Sequence, residues 1–337
     1  MKQYIQKVIE KQDLTQGEMT EAFDLIMSGE ATPSQIAGLI VALRMKGETV
    51  DEIAGGAASM RRHAVLVDPG GLPVVDTCGT GGDGVGTFNI STVVALVAAG
   101  AGLTVVKHGN RSVSSKCGSA DVLETLGVKI DADPSVAEGA VNTIGVGFLF
   151  APKFHSAMRY VMPTRRELGV RTMFNLLGPL ANPANAKYQL VGIYDPTMLE
   201  RYAGAMKRLG IERAMVVHGN DGLDEITTTA TTQVAELADG EITRYEINPA
   251  DYFNTLATSG DLLGGDAEEN AAIARAILAG ETGPKRNIVL LNAAAALRVA
   301  GKACDLTDGI ARAADAIDSG AAMAKLDALI AYTQENG

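Results

Sequence analysis

Residues 76–92 read DTCGTGGDGVGTFNIST, five glycines held between apolar runs at 72–75 and 90–99. A backbone that forgoes side chains this often in one turn usually comes close to another group. Gly79, Gly81 and Gly84 match G-x-G-x-x-G after an expected strand, which alone is weak evidence for a dinucleotide. A dinucleotide fold also wants an acidic residue at the end of the next strand, to accept from ribose hydroxyls. Lys107 and His108 stand there instead, and a cation at that edge favours phosphate. The triphosphate spacing G-x-x-x-x-G-K-S/T is absent as well. What remains is an anion cradle, set against the plainer alternative of a glycine-rich turn with no ligand. Asn89, Ser91 and Thr92 supply N-cap and first-turn groups to the helix expected next, whose N-terminus favours phosphate. Asp83 is the odd member, because a carboxylate repels phosphate unless it acts through a metal or accepts from hydroxyls.

Two further clusters repeat the theme. In KHGNRSVSSKCGSADVLE, residues 107–124, Lys107, Arg111 and Lys116 lie among Ser112, Ser114, Ser115 and Ser119. Any one of these cations is most simply a solvated surface charge. Together, after a strand end and before a helix, they make a second anion site. In HGNDGLDEITTT, residues 218–229, Asp221, Asp224 and Glu225 could ligate a hard cation. Mg²⁺ prefers one or two carboxylates completed by phosphate oxygens and water. Alone, such an acidic turn is a solvated loop; opposite two anion loops, the metal reading gains.

The elements that must position these loops alternate. Short apolar strands are expected at 72–76, 103–109, 146–152, 188–194 and 213–219, with helices between them, so the class is α/β with a mostly parallel sheet covered on both faces. Loops at the carboxyl ends of such strands hold ligands. Residues 232–248 suggest a hairpin turning at Asp239-Gly240. From 265 the chain is Ala-rich and helical. The first ~65 residues differ: Thr15–Glu18, Thr32–Gln35 and Thr49–Glu52 have capping-box spacing, Pro33 suits a first helical position, and Gly47 suits a helix end. The expected division is a small all-helical domain over 1–70 and a larger α/β domain over 71–337. A returning helical segment near 155–190 is rich in Arg and Pro and could cross back to the first. Small-residue runs such as IAGLIVALRM and AGGAASM point to packing within that domain ahead of a subunit interface.

Composition narrows the function classes. A formal charge of −11, no Trp and 4% aromatic residues disfavour nucleic acid as the main partner. No apolar run reaches the ~18 residues of a membrane span, and the longest, near 90–106, is broken by Gly100 and Gly102. The N-terminal MKQYIQKVIEKQD has no signal-peptide core. Cys78, Cys117 and Cys304 form neither a disulfide framework nor a zinc pattern. A cytoplasmic protein is expected.

In order along the chain, GTGGDG…NIST, KHGNR, SSxxGSADVLE, GVRTMFNLLGPLANP and DGLDE resemble the anthranilate phosphoribosyltransferase family. The resemblance runs over essentially the whole chain, with no departure at these motifs. It implies transfer of phosphoribosyl from 5-phosphoribosyl 1-pyrophosphate (PRPP) to the amine of anthranilate, in tryptophan biosynthesis. It implies a homodimer paired through the helical domain, and Mg²⁺, two ions, bound with pyrophosphate. By the same resemblance Gly79, Gly82, Asp83, Thr87, Asn89, Ile90, Ser91, Thr92, Lys107, His108, Gly109, Asn110, Arg111, Ser115 and Ser119 would line the PRPP site. Gly79, Asn110, His155 and Arg165 would line the anthranilate site, and Ser91, Asp224 and Glu225 would serve the metal. A planar guanidinium such as Arg165 suits a carboxylate. No dedicated acid or base is required, and His108 is expected to be oriented within its loop. A nucleoside phosphorylase and a non-catalytic nucleic-acid-binding relative are the alternatives.

Overall fold

The structure is a computed structural model describing residues 1–81, 84–112 and 116–337. The chain opens with helices α1 (Lys2–Ile9), α2 (Gln16–Met27), α3 (Pro33–Lys46) and α4 (Val50–Arg62). All three capping boxes form: Thr15, Thr32 and Thr49 accept from the amides of Glu18, Gln35 and Glu52, whose side chains accept in return. Glu52 does more than cap. It is fully buried, and its carboxylate also accepts from the Leu14 amide at 3.0 Å and from Lys46 Nζ at 3.0 Å. The small residues of α4 serve packing: a Cβ at Gly55 would lie 2.6 Å from the Gln16 carbonyl on α2.

The α/β part runs β1 (Val74–Gly79), α5 (Ile90–Gly100), β2 (Thr104–Gly109), α6 (Ser119–Leu126), α7 (Pro134–Ile144) and β3 (Val146–Phe150). Short helices α8 (Ala151–Phe154), α9 (Met162–Leu168) and α10 (Phe174–Leu180) then return to the bundle. Tyr160 packs on Gly29, while Met173 and Leu177 pack on Gly56 of α4. The chain resumes with β4 (Tyr188–Gly192), α11 (Leu199–Arg208), β5 (Arg213–Gly219), β6 (Thr232–Ala238) and β7 (Glu241–Ile247). Helices α12 (Ala267–Leu278), α13 (Pro284–Val299), α14 (Leu306–Asp318) and α15 (Ala321–Asn336) finish it.

Among the described residues the strands form one seven-stranded sheet, β3-β2-β1-β4-β5-β6-β7. Strands β1 to β5 pair in parallel and the β6–β7 hairpin adds antiparallel. Asp239 and Gly240 turn that hairpin with φ of 51° and 79°, both left-handed as a type I′ turn requires. Alternate strand residues feed two layers. Val75, Val105, Met215 and Val217 face the clusters built with α5, α13 and α14. Cys78, Val191, Ala214 and Val216 face a cluster shared with α10, α11 and the N-terminal helices. Strand order reverses between β1 and β4, since β2 and β3 lie on one side of β1 and β4 and β5 on the other. Such a switch point opens a crevice at the carboxyl ends of the strands. Among the described residues no helix is long and apolar enough to cross a membrane.

Candidate active site

Three loops meet at that edge. The glycine loop leaves β1, the Lys107 loop leaves β2, and the acidic loop leaves β5. The first and third are tied directly: the Gly81 amide donates to Asp224 Oδ2 at 2.7 Å. The glycine requirement is steric. Gly79 and Gly192 are register partners on β1 and β4. A Cβ at Gly79 would overlap the Asp224 carboxylate, and one at Gly192 would overlap the Asp224 carbonyl oxygen. Asp224 is therefore laid flat over two bare strand ends, and it and Glu225 are each only 9% exposed. Asp221 is committed elsewhere, accepting from the hydroxyls of Thr227 and Thr229 and from the Leu223 amide, so it shapes the turn. Among the described residues no three His, Cys, Asp or Glu side chains form a metal cluster. A two-carboxylate set of this kind suits Mg²⁺, which keeps water and substrate phosphate in its shell.

Lys107 is buried beneath the glycine loop. Its Nζ donates to the Thr77 carbonyl at 2.6 Å and to Ser91 Oγ at 3.1 Å. Burial pushes its pKa down, and Asp76 is the chief group opposing that. Asp76, wholly buried on β1, is pushed up by burial against the pull of Lys107, the Asn182 amide at 2.7 Å and the His108 backbone amide. Sequence reasoning missed Asp76 and Asn182. The available signal was a carboxylate inside an apolar strand.

The expected side-chain cap by Asn89 is not made. Asn89 occupies the N-cap position of α5, but its amide turns to the second loop, donating to the Cys117 carbonyl at 3.2 Å. Ile90 is buried at the helix start, and Thr92 Oγ1 is buried with no partner among the described residues. Thr87 pairs with Leu263 in an isolated bridge. In the second loop, Asp121 holds the Ser112 and Gly118 amides at 3.0 and 2.8 Å. Arg111 is paired with Asp121 and Glu124 on α6. The Asn110 carbonyl accepts from Ser119 Oγ at 3.3 Å, and Gly109 lies against Ser119 and Phe148 with no room for a Cβ. Gly82, Asp83, Ser114 and Ser115 lie outside the described residues.

The returning segment brings His155 against His108 and Arg165 against Phe174 on α10. Arg165 is largely desolvated, which lowers its pKa; its Cζ lies 5.5 Å over the Phe174 ring, and among the described residues it forms no ion pair. A partly desolvated cation with no counter-charge among the described residues is left available to a ligand carboxylate. The His155 ring centroid lies 5.1 Å from that of His108. His108 Nδ1 bonds the Gly178 carbonyl at 3.2 Å, which places the proton there, and the Nε2 atoms of both rings are buried without partners among the described residues.

Helix α10 forms one wall here, and its carbonyls are held from four directions. Leu176 accepts from Tyr202 Oη at 2.8 Å on α11, and Gly178 from His108 on β2. Pro179 accepts from Gln189 Nε2 at 2.9 Å on β4, and Leu180 from Arg61 Nε at 2.6 Å on α4.

Burial, with a smaller push from His155, holds His108 at about 3, and burial holds His155 at about 4. The unfolded chain takes up both protons below about pH 6.5, whereas the folded chain resists until far lower. Their neutral burial is therefore without cost above about 6.5, and stability is lost as pH falls below it. At pH 5 the loss is about 2 kcal/mol per histidine. The drop in Tm between pH 7.5 and pH 5 should shrink in His155→Gln; an unchanged drop would show that His155 does not titrate this way.

Comparison with known proteins extends the match beyond these loops. Residues 2–64 match the helical bundle domain of a glycosyl transferase family, and residues 71–323 match its a/b domain. An anthranilate phosphoribosyltransferase of Desulfatibacillum aliphaticivorans is 55% identical, covering 99% of this chain and 98% of the relative. The crystal structure of the Thermus thermophilus anthranilate phosphoribosyltransferase superposes with a TM-score of 0.94 at 44% identity, covering 98% of this chain and 99% of the other. The Saccharomyces cerevisiae enzyme, solved with PRPP and Mg, gives a TM-score of 0.89 at 27% identity, covering 99% and 97%. Identity at this level over 99% of the chain, with the fold superposing along nearly its whole length, places the chain in the anthranilate phosphoribosyltransferase family.

Proposed function

We propose that the chain transfers phosphoribosyl from PRPP to the amine of anthranilate, releasing pyrophosphate, as a step of tryptophan biosynthesis. The observation that carries this is the family membership over the full length. The site agrees: a largely desolvated Arg165 with no ion pair among the described residues suits the anthranilate carboxylate, and a glycine loop tied to the buried Asp224 carboxylate suits a pyrophosphate ester. The amine nitrogen forms a bond to ribose C1 as the C1–O bond to pyrophosphate breaks, and the spare amine proton leaves to solvent. The transition state gathers positive charge at the ribose and negative charge on the leaving group. The chain's contribution is positioning and charge stabilisation. Lys107 holds Ser91 and the end of β1 in place, and helix α5 presents its N-terminal amides. Asp224 and Glu225, with Ser91, would hold Mg²⁺, as two ions, which neutralises charge on pyrophosphate when bound. The yeast relative solved with PRPP and Mg supports Mg²⁺ as the metal. His108 and His155 stay neutral, His108 held within its loop and His155 on the acceptor side, and the aryl amine is already a usable nucleophile, so no dedicated base is needed.

Loss of anthranilate fluorescence on mixing the protein with PRPP and Mg²⁺ tests the activity directly; persistent fluorescence would refute it. Arg165→Ala should raise the anthranilate KM about 10- to 100-fold, the worth of a charge-assisted hydrogen bond, with the PRPP KM within about twofold. An unchanged anthranilate KM would remove Arg165 from that role. The same reading includes a cytoplasmic homodimer joined through the helical domain. Exposed Ile9 on α1 and Met45 on α3, at 61% and 84%, support that face, and sedimentation would measure it.

A further inference from the structure

Asn270, in the first turn of α12, lies far from every loop so far described in sequence, yet it is buried against two of them. Its Oδ1 accepts from the Gly265 amide at 2.9 Å, and its Nδ2 donates to Asn89 Oδ1 at 3.0 Å. Asn89 Nδ2 in turn donates to the Cys117 carbonyl at 3.2 Å. The polarity of this relay is fixed at both ends. A backbone N–H at Gly265 can only donate, and a backbone carbonyl at Cys117 can only accept. Neither amide between them can flip without setting two acceptors or two donors face to face. Asn89 opens α5 after the glycine loop, and Cys117 follows the 112–116 stretch just before α6. One side chain on α12 thus fixes the orientation of the amide that joins the two anion loops. It also explains why Asn89 does not cap its own helix.

We propose that Asn270 is a positioning residue for the PRPP site, acting through Asn89 to hold the glycine loop and the Lys107 loop at one spacing. The proposal rests on the phosphoribosyl-transfer reading. A residue that acts this way should affect the donor and leave the acceptor alone. Asn270→Asp keeps the shape but turns an acceptor toward Asn89 Oδ1, so the Asn89 amide must rotate and lose Cys117. Asn270→Ser removes the bond by shortening the side chain.

The experiment measures KM for PRPP and for anthranilate in both variants, alone and in an Asn89→Ala background, with thermal midpoints alongside. The expected result is a PRPP KM raised at least about fivefold, the worth of one hydrogen bond, with the anthranilate KM within about twofold. In the Asn89→Ala background the same substitution should add less than about twofold, because the path through Asn89 is already cut. An unchanged PRPP KM, equal shifts for both substrates, or full additivity with Asn89→Ala would each overturn the proposal. Where turnover is too low to read, calorimetry of pyrophosphate binding replaces the PRPP KM, with the same expected weakening. Absence of transfer by the unmodified protein would refute the parent reading instead, so the two failures are distinguishable.

Discussion

Asp224→Asn combined with Glu225→Gln should lower kcat about 10³-fold at saturating PRPP and anthranilate. The pair is isosteric, and the new carboxamide at position 224 would still offer an oxygen to the Gly81 amide, which donates to the Asp224 carboxylate at 2.7 Å. The loop geometry is therefore kept and only negative charge is lost. Two carboxylates with 9% exposure are already shielded from water, so their field on a bound cation is strong. Removing a preorganised electrostatic contact to a developing charge costs roughly 10²–10³ in rate for a single group. The loss should deepen at limiting Mg²⁺ and ease partly as Mg²⁺ is raised. A double variant with normal rates at limiting Mg²⁺ would show that these carboxylates do not serve the metal.

Gly192→Ala should be nearly as damaging although residue 192 carries no functional group. The new methyl would overlap the backbone carbonyl of Asp224, and backbone cannot swing aside as a long side chain can. With the new Cβ only 1.5 Å from that oxygen, β4 or the acidic loop must move by more than an ångström. A misplacement of that size costs about 10²-fold in turnover even when every reactive group is present. Overpacking of this kind also costs about 1–3 kcal/mol of stability. The diagnostic is a kcat fall of about 100-fold or more with a Tm loss of only several degrees. Normal turnover in a folded Gly192→Ala protein would mean that the loop does not need to lie flat on the strand ends.

Legibility in the sequence follows the range of the interaction. Thr15–Glu18, Thr32–Gln35 and Thr49–Glu52 are readable because a capping box is complete within four residues. The Asp239-Gly240 turn is readable because both left-handed residues are adjacent. Strands β1 to β5 are readable as short buried runs between helices, and their carboxyl ends locate the three loops. The tertiary contacts are not readable. Asn182 meets Asp76 across 106 residues, and Asn270 meets Asn89 across 181. Gly192 looks like one more glycine, since only the folded loop shows what lies above it. Asn89 shows a local rule being overridden: its N-cap position is legible, but a distant amide claims its side chain.

Helix α10 has a consequence beyond the site it lines. Seven residues with a proline near the end make a helix that would fray by itself. Here its carbonyls are gripped by a strand on either side of the switch point, by the bundle and by α11. The segment cannot open without loosening all four, so local opening and global unfolding become the same event for it. It is a keystone. In hydrogen–deuterium exchange its amides should be among the slowest in the chain, protected to the level of the sheet itself.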